Sequence, residues 1–429
     1  MTVKEAKRIF FLGIAGTGMR GLAYLLASQG KQILGTDTQL PSPLPEDLSA
    51  YMLAPEHAAE ELLEKADLII HTDAAPKSHP LLQHARPKHI PAISYQEGLG
   101  QLSADLTTIA VTGTHGKSST TAMLGHILIK TGHDPSVLVG APVPGWPGAH
   151  ARSGKGKFLV VEADEYRNHF LSLTPAHEII TSIDFDHPDF FVSLDDVVQA
   201  YDHFVQLLPA KGIVVVPQDV REGFSQIHWP AGTISISPKE IEATAAPLPG
   251  RHMQSNAALA IQMAMQVTGI TRDQTQTVLQ SFPGLGRRLE IIGTFQNLQI
   301  ISDYGHHPAE ISVTLQTAKN AHAGQRILVI FEAHTQKRLD VFLSQFAQAL
   351  APADGVVLYP PFLPKGREAR HATAQLEELK QKLETQHTPT LILNNVAELK
   401  TVLSEKSSSY DIALAFTAGT LDQHLRTLV

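Results

Sequence analysis

The sequence predicts an α/β protein of three domains, and three observations carry that prediction. Short apolar runs alternate with stretches of helical periodicity along the whole chain. The alternation falls into three groups set apart by glycine- and proline-rich punctuation. The length, 429 residues, suits roughly three domains at about 150 residues each. With 43% hydrophobic and 18% charged residues the chain has enough apolar material for several cores, and collagen, long coiled coil and bulk disorder are excluded.

The first group opens with a strand over 8–12, a glycine turn, a helix over 19–28 and a second strand over 32–36, which together make a βαβ unit. Another strand is expected over 67–71, and the first domain ends near Ser103, giving a domain of 1–103. A strand over 108–112 opens the second group and runs into Gly113-Thr-His-Gly-Lys-Ser-Ser119 and a helix to Lys130. The runs 158–162 and 178–183 read as buried parallel strands, and 140–156 as a loop or hairpin. After a helix over 253–267, the segment Phe282-Pro-Gly-Leu-Gly286 marks the second boundary, so the remaining domains are 104–284 and 285–429. In the last, strands at 300–301, 326–331, 355–359 and 412–416 are separated by helices such as 339–350.

The balance of 34 basic against 42 acidic side chains, a net charge of −8 with no basic block, argues against a nucleic-acid partner. The chain has no cysteine, which removes disulfides, thiolate metal sites and a cysteine nucleophile and fits a reducing compartment. Its first residues are polar, and the apolar run from Ile9 is broken by Gly13, Gly16 and Gly18, unlike a signal peptide. No run of about 18 apolar residues occurs, so no membrane insertion is expected and a cytoplasmic protein is.

The strongest chemical signal is Thr112-Gly-Thr-His-Gly-Lys-Ser-Ser-Thr120 between a strand and a helix, a shortened phosphate loop with Val111 where the full motif has its first glycine. Such a turn brings backbone N–H groups to phosphate oxygens, with Lys117 as a point charge and Ser118 as a magnesium ligand. Magnesium requires oxygen ligands, so carboxylates at neighbouring strand ends become candidates: Glu162-Ala-Asp-Glu165 and Asp184-Phe-Asp-His-Pro188. Near the start, Gly16-Thr-Gly18-Met-Arg-Gly21 fits G-x-G-x-x-G, with Asp37 at the end of the second strand. That turn suits NAD, FAD or a nucleotide-sugar equally. The adjacent His306 and His307 point to opposite sides of an extended segment, which disfavours a second metal site. Arg287 and Arg288 sit at the second boundary, where arginine suits charge-assisted contact with phosphate.

Taken together, the Gly113 to Ser119 loop, Glu162-Ala-Asp-Glu165, Asp186-His187, His252, Asn256, Arg288 and Asp303 resemble the Mur ligase family, ATP-dependent amide-bond-forming enzymes of peptidoglycan precursor synthesis, over essentially the whole chain. The resemblance implies a Rossmann-like N-terminal domain, a central P-loop ATPase-type α/β domain and a Rossmann-like C-terminal domain. It implies ATP and magnesium as cofactors, with Lys117, Glu162, His187 and Arg288 catalytic and Ser118, Glu162 and His187 on the metal. ATP would be held by Gly113, Thr114, His115, Gly116, Lys117, Ser118, Ser119, Asn256 at the adenine, Arg288 at the phosphates and Asp303 at the ribose. Gly13, Ile14, Ala15, Gly16, Thr17, Gly18 and Asp37 would hold a UDP-sugar, and Tyr304, His306 and Arg338 would face the amino acid or an acyl phosphate.

Within the family, Glu165-Tyr-Arg-Asn-His-Phe-Leu171 and Asp303-Tyr-Gly-His-His-Pro308 are similar to the branch that joins L-alanine to UDP-N-acetylmuramate. The branch that attaches a recycled murein tripeptide shares much of this pattern. Thr335-Gln-Lys337 departs from the family's usual aromatic-containing turn, and Ser118 stands for the commoner threonine with an equivalent hydroxyl. A monomer or weak homodimer is expected.

Overall fold

The computed structural model describes residues 1–361 and 372–429. The chain divides into two compact units: Met1–Asp184, Leu194–Pro247 and Met253–Pro283 form the first, and Phe185–Ser193, Leu248–His252 and Gly284–Val429 the second. Two of the three expected strand groups therefore share one unit.

The first unit holds two sheets. One is five-stranded and all parallel, in the order Met52–Leu53, Gln32–Thr36, Arg8–Leu12, Leu68–His71, Ala92–Ser94. The other is seven-stranded, in the order Thr233–Ile236, Ile213–Pro217, His177–Ile180, Thr107–Thr112, Phe158–Glu162, Ser136–Leu138, Ala151–Arg152, and only its last pair is antiparallel. The central strands are buried along nearly their whole length, as sheets covered on both faces must be, which is why they read as unbroken apolar runs. The segment 140–156, expected as loop or hairpin, holds the connection from the strand Ser136–Leu138 and also its antiparallel partner strand Ala151–Arg152. The strand expected over 178–183 is His177–Ile180. It ends early because Ser182 turns to the phosphate loop, its carbonyl accepting from the Thr114 N–H at 3.0 Å and its hydroxyl from the His115 N–H at 2.8 Å.

Backbone packs closely between these two sheets at glycines. A Cβ on Gly21, in the helix Thr17–Ser28, would stand 2.2 Å from Leu138 Cδ1, and one on Gly100, in the helix Tyr95–Ala104, 2.2 Å from the Ser172 carbonyl oxygen. The third glycine of the N-terminal fingerprint is thus needed for contact with the second sheet's hairpin rather than with its own sheet. Phe170, just before Ser172, stacks on Phe204 with ring centroids 4.4 Å apart and is edge-on to Tyr201.

In the second unit the described strands form a six-stranded sheet in the order Glu290–Phe295, Leu298–Asp303, Ile412–Thr417, Ile327–Glu332, Gly355–Tyr359, Thr390–Ile392. The antiparallel edge strand Glu290–Phe295 was not expected from the sequence, since its burial is partial and its apolar pattern weak. One face packs Ile311, Leu315, Phe331, Leu339, Phe342 and Phe346 into a single core. The helix Gln336–Leu350 begins three residues before expectation because the Thr335 hydroxyl caps it, accepting from the Arg338 N–H at 3.2 Å. No helix among the described residues is long and apolar enough to cross a membrane.

Two stability predictions follow from this packing. Gly100→Ala places a methyl against a backbone carbonyl and should lower the urea-unfolding free energy by about 1–3 kcal/mol, despite alanine's better helix propensity. An unchanged midpoint would show that the two elements can separate there. Glu332, at 1% exposure, accepts from the Gly419 N–H at 3.1 Å, and burial pushes its carboxyl up to about 7 from the ordinary 4.5. The folded state then favours the protonated form, so the group costs nothing below the ordinary carboxylate range, progressively more as pH rises from about 4.5 to about 7, and a constant amount above that. Glu332→Gln should raise the melting temperature at pH 8 and leave it unchanged at pH 4; equal effects at both would refute this.

Candidate active site

The phosphate loop is shaped by glycine at two left-handed positions, Gly113 with φ +131° and Gly116 with φ +86°. Space at Gly116 is as restrictive as its torsion, because a Cβ there would lie 2.4 Å from Oδ1 of the buried Asn256. Thr114 is tied to the next strand end, its hydroxyl accepting from the Asp184 N–H at 2.8 Å. The His115 imidazole lies 3.7 Å from the Asp184 carboxylate. Beyond the loop the helix Lys117–Lys130 begins, and the first N–H groups of a helix have no intrahelical acceptor. Ser118, Ser119 and Thr120 are buried in its first turn.

Lys117 Nζ donates to the Gly113 carbonyl at 2.7 Å and to Glu165 Oε2 at 2.9 Å. Glu165 is 2% exposed. Burial opposes the lysine's charge, but Glu165, Asp164 and Glu162 outweigh it and hold the ammonium above the usual lysine range. An ammonium has three N–H donors, and the longest of its contacts is the one to the Thr114 carbonyl at 3.4 Å, which a phosphate oxygen at the loop could replace. Ser118 Oγ donates to Glu162 Oε1 at 3.0 Å, and the other Glu162 oxygen accepts from the Gly140 N–H at 2.6 Å. A hydroxyl and a carboxylate fixed oxygen to oxygen are the donor type that a hard divalent cation takes, so Ser118 and Glu162 fit magnesium.

The N-terminal glycine turn follows the strand Arg8–Leu12 in the same unit. The Gly13 and Ile14 N–H groups donate to the Thr36 carbonyl at 2.9 and 3.0 Å, and the Ala15 N–H donates to Asp37 Oδ2 at 3.0 Å. Asp37 therefore braces the turn. Gly16 and Thr17 are exposed at the start of the helix Thr17–Ser28, with Gly18 behind them, as an anion site at a helix N-terminus requires.

The second unit carries its own polar cluster. Arg338 and Asp186 are both buried and form an ion pair, with Arg338 Nε 3.0 Å from Asp186 Oδ1 and Nη2 on the same oxygen. Burial works against the Asp186 charge but is outweighed by Arg338, His187 and His306, which hold it well below the usual carboxylate range. Arg338 Nη1 lies 2.8 Å from His334 Nδ1. A guanidinium only donates, so His334 Nδ1 accepts and the ring is neutral with its proton on Nε2. Burial and the same arginine push His334 down to about 4. His306 Nδ1 is 3.0 Å from the Tyr304 carbonyl, which only accepts, so this ring carries its proton on Nδ1 and leaves Nε2 with a lone pair. Burial and Arg338 hold it well below the ordinary histidine range. The His306 and His334 rings lie 5.2 Å apart.

Arg287 and Arg288 stack over Tyr304 at 4.7 and 5.7 Å, on a turn where Arg287 and Leu289 take left-handed torsions. Asp303 secures that turn, since its carboxylate accepts the Leu289 N–H at 2.9 Å and the Gly305 N–H at 2.7 Å. It is 3% exposed, so what it visibly positions is the arginine turn. His307 caps the helix Pro308–Ala321, accepting from the Ala309 N–H at 3.3 Å.

Of the residues singled out from sequence, Lys117, Ser118, Glu162 and Asn256 come together around the loop of the first unit, and Tyr304, His306, Arg338, His187 and Arg288 belong to the second. Three partnerships emerge only here, Glu165 with Lys117 and both Asp186 and His334 with Arg338. Glu165 and Asp186 lie inside acidic runs already noticed, but nothing in the pattern distinguished them from their neighbours as the partners of Lys117 and Arg338. His334 stands in the run Phe331-Glu-Ala-His334, four residues before Arg338, a pattern that is ambiguous in isolation.

The chain matches the family models described as "Mur ligase family, catalytic domain" over 8–107, "Mur ligase middle domain" over 111–230 and "Mur ligase, glutamate ligase domain" over 287–419. It is 33% identical to a protein of Desulfitobacterium hafniense named UDP-N-acetylmuramate--L-alanine ligase, covering 98% of this chain and 99% of that one. Among solved structures, a UDP-N-acetylmuramate-alanine ligase from Thermotoga maritima superposes with a TM-score of 0.78 at 24% identity, covering 98% of both chains. A murein peptide ligase from Psychrobacter arcticus gives 0.75 at 22%, again over 98% of each. Those two likenesses are of fold, whereas the near-full-length sequence match and the three domain matches in order are of descent: the chain belongs to the Mur ligase family.

Proposed function

We propose that this protein joins L-alanine to the carboxylate of UDP-N-acetylmuramate at the expense of ATP, in the cytoplasmic synthesis of peptidoglycan precursors. The observation that carries the reading is Lys117, held by the Gly113 and Thr114 carbonyls and by Glu165 in the phosphate loop at the start of a helix, in a chain 33% identical to a relative named for that reaction. In this reading residues 1–103 bind the UDP-sugar, 104–284 bind ATP and 285–429 complete the ATP and amino-acid sites.

The muramate carboxylate attacks the γ-phosphorus of ATP, releasing ADP and forming an acyl phosphate. The alanine amine then attacks the acyl carbon, and inorganic phosphate leaves from the tetrahedral intermediate. Negative charge on phosphoryl oxygens dominates both steps, so preorganised cations supply the main stabilisation. Lys117 contributes from the loop, the N–H groups of Gly113, Gly116, Ser118 and Ser119 line the cradle, and Thr114 and His115 hold its shape through their bonds to Ser182. Arg288 serves the phosphates from the turn that Asp303 braces, and Asn256 offers its carboxamide to the nucleotide. Ser118, Glu162 and His187 would hold magnesium, which supplies charge neutralisation on the phosphates when bound. In the second step His306, neutral with a free lone pair on Nε2, takes a hydrogen from the alanine ammonium. Arg338 and Tyr304 fix the surroundings of that exchange. The glycine turn 13–18, braced by Asp37, holds the diphosphate of the UDP-sugar.

ADP release and product mass test the assignment. With ATP, magnesium and UDP-N-acetylmuramate, L-alanine should support turnover and the product should gain one alanyl residue. Turnover that needs the murein tripeptide and ignores alanine would overturn it in favour of the recycling ligase. Lys117→Ala should lower kcat by a factor on the order of 10² to 10³ while calorimetric binding of the UDP-sugar persists. A variant keeping most of its rate would remove Lys117 from the phosphoryl step.

A further inference from the structure

Beside the glycine turn of the first unit stands a polar group that neither the turn, the phosphate loop nor the acidic strand end engages, the phenol of Tyr95. This residue opens the helix Tyr95–Ala104, whose start is locked by a reciprocal cap: Ser94 Oγ accepts from the Glu97 N–H at 3.2 Å, and the Glu97 carboxylate accepts from the Ser94 N–H at 2.7 Å. The next residue, Gln96, donates to Asp73 Oδ2 at 2.9 Å, and the same oxygen lies 2.7 Å from His169 Nε2. The helix start is thus clamped between the first sheet's loop and the segment Tyr166–Ser172 of the second.

From this fixed base the half-buried Tyr95 side chain reaches the glycine turn. A Cβ on Gly18 would stand 2.8 Å from the Tyr95 hydroxyl oxygen and 2.8 Å from Cζ. The second glycine of the fingerprint is therefore kept bare by the tyrosine as well as by any ligand. Yet the Tyr95 hydroxyl has no hydrogen-bond partner among the described residues. Burial, with the Asp164 and Glu162 carboxylates adding to it, pushes the phenol well above its ordinary range, so it stays a donor. An unengaged O–H donor beside the exposed first turn of the helix Thr17–Ser28 is matched to an anion.

We propose that Tyr95 is a substrate-binding residue, donating its phenolic O–H to the diphosphate of the UDP-sugar where that group meets the start of the helix Thr17–Ser28. The inference rests on the proposed function for the identity of the substrate, and on the Gly18 contact for the identity of the residue. The ring edge and the hydroxyl both lie against Gly18, so what Tyr95 offers a ligand at the turn is its O–H rather than a stacking face.

Tyr95→Phe keeps the ring against Gly18 and removes the donor. Calorimetry with UDP alone and with UDP-N-acetylmuramate, alongside steady-state kinetics, reads the consequence. A hydrogen bond to a charged acceptor corresponds to a loss of about tenfold or more in affinity. We expect the Kd of both ligands to rise by at least about that factor, the KM for the UDP-sugar to rise with them, and the KM for ATP to stay within about twofold. An unchanged Kd for UDP overturns the proposal, as does a loss confined to UDP-N-acetylmuramate, which would place the contact on the sugar. Wild-type protein measured first keeps the two readings apart. If it fails to bind UDP-N-acetylmuramate, the assigned function falls; if it binds and the variant binds equally well, only the role of Tyr95 falls.

Discussion

The ion pair between Lys117 and Glu165 is the constraint around which the first unit's chemistry is arranged. Taking two charges out of water costs several kcal/mol for each ion, and their attraction offsets that only when geometry is close and the remaining donors and acceptors are satisfied. Here the separation is 2.9 Å, and a second ammonium hydrogen goes to the Gly113 carbonyl. The loop must therefore turn so that this carbonyl faces the lysine, which is what the left-handed torsions at Gly113 and Gly116 achieve. Ser182 and Asn256 close the loop from the outside, one by hydrogen bonds and one by contact. The residue that carries charge to phosphate is thus oriented before any phosphate arrives, and little reorganisation is needed when charge develops.

The second unit solves a different problem, that of fixing proton positions. Arg338 cannot lose its charge or accept a hydrogen bond, so its contacts decide the state of both neighbours. It keeps Asp186 ionised and makes His334 an acceptor on Nδ1. His306 is set the opposite way by a backbone carbonyl. Two imidazoles 5.2 Å apart then present a donor and an acceptor, a combination suited to a ligand that carries both an anionic and an N–H group.

Glycine serves packing in the first unit as much as it serves ligands. In a nucleotide-binding fingerprint the second glycine is ordinarily read as room for phosphate and the third as room for helix on sheet. Gly18 here also makes room for Tyr95, and Gly21 for Leu138 of the neighbouring sheet's hairpin. Together with Gly100 against Ser172, these contacts explain why two sheets that the sequence separates at Ser103 share one compact unit.

Sequence alone determined the elements whose signals are local. Parallel strands such as Arg8–Leu12 and Phe158–Glu162 are buried on both faces and so appear as apolar runs, and the phosphate loop appears because its glycines, lysine and serine are contiguous. The family resemblance reached further, to Asn256, Arg288 and Arg338. What the tertiary structure alone decided is partnership across long stretches of chain. Glu165 meets Lys117 from 48 residues away, Asp186 meets Arg338 from 152, and Tyr95 reaches Gly18 from a separate helix. Periodicity reports which face of an element is apolar, whereas protonation states and charge pairing depend on which side chains the folded backbone brings within about 3 Å of one another, and no local pattern encodes that distance.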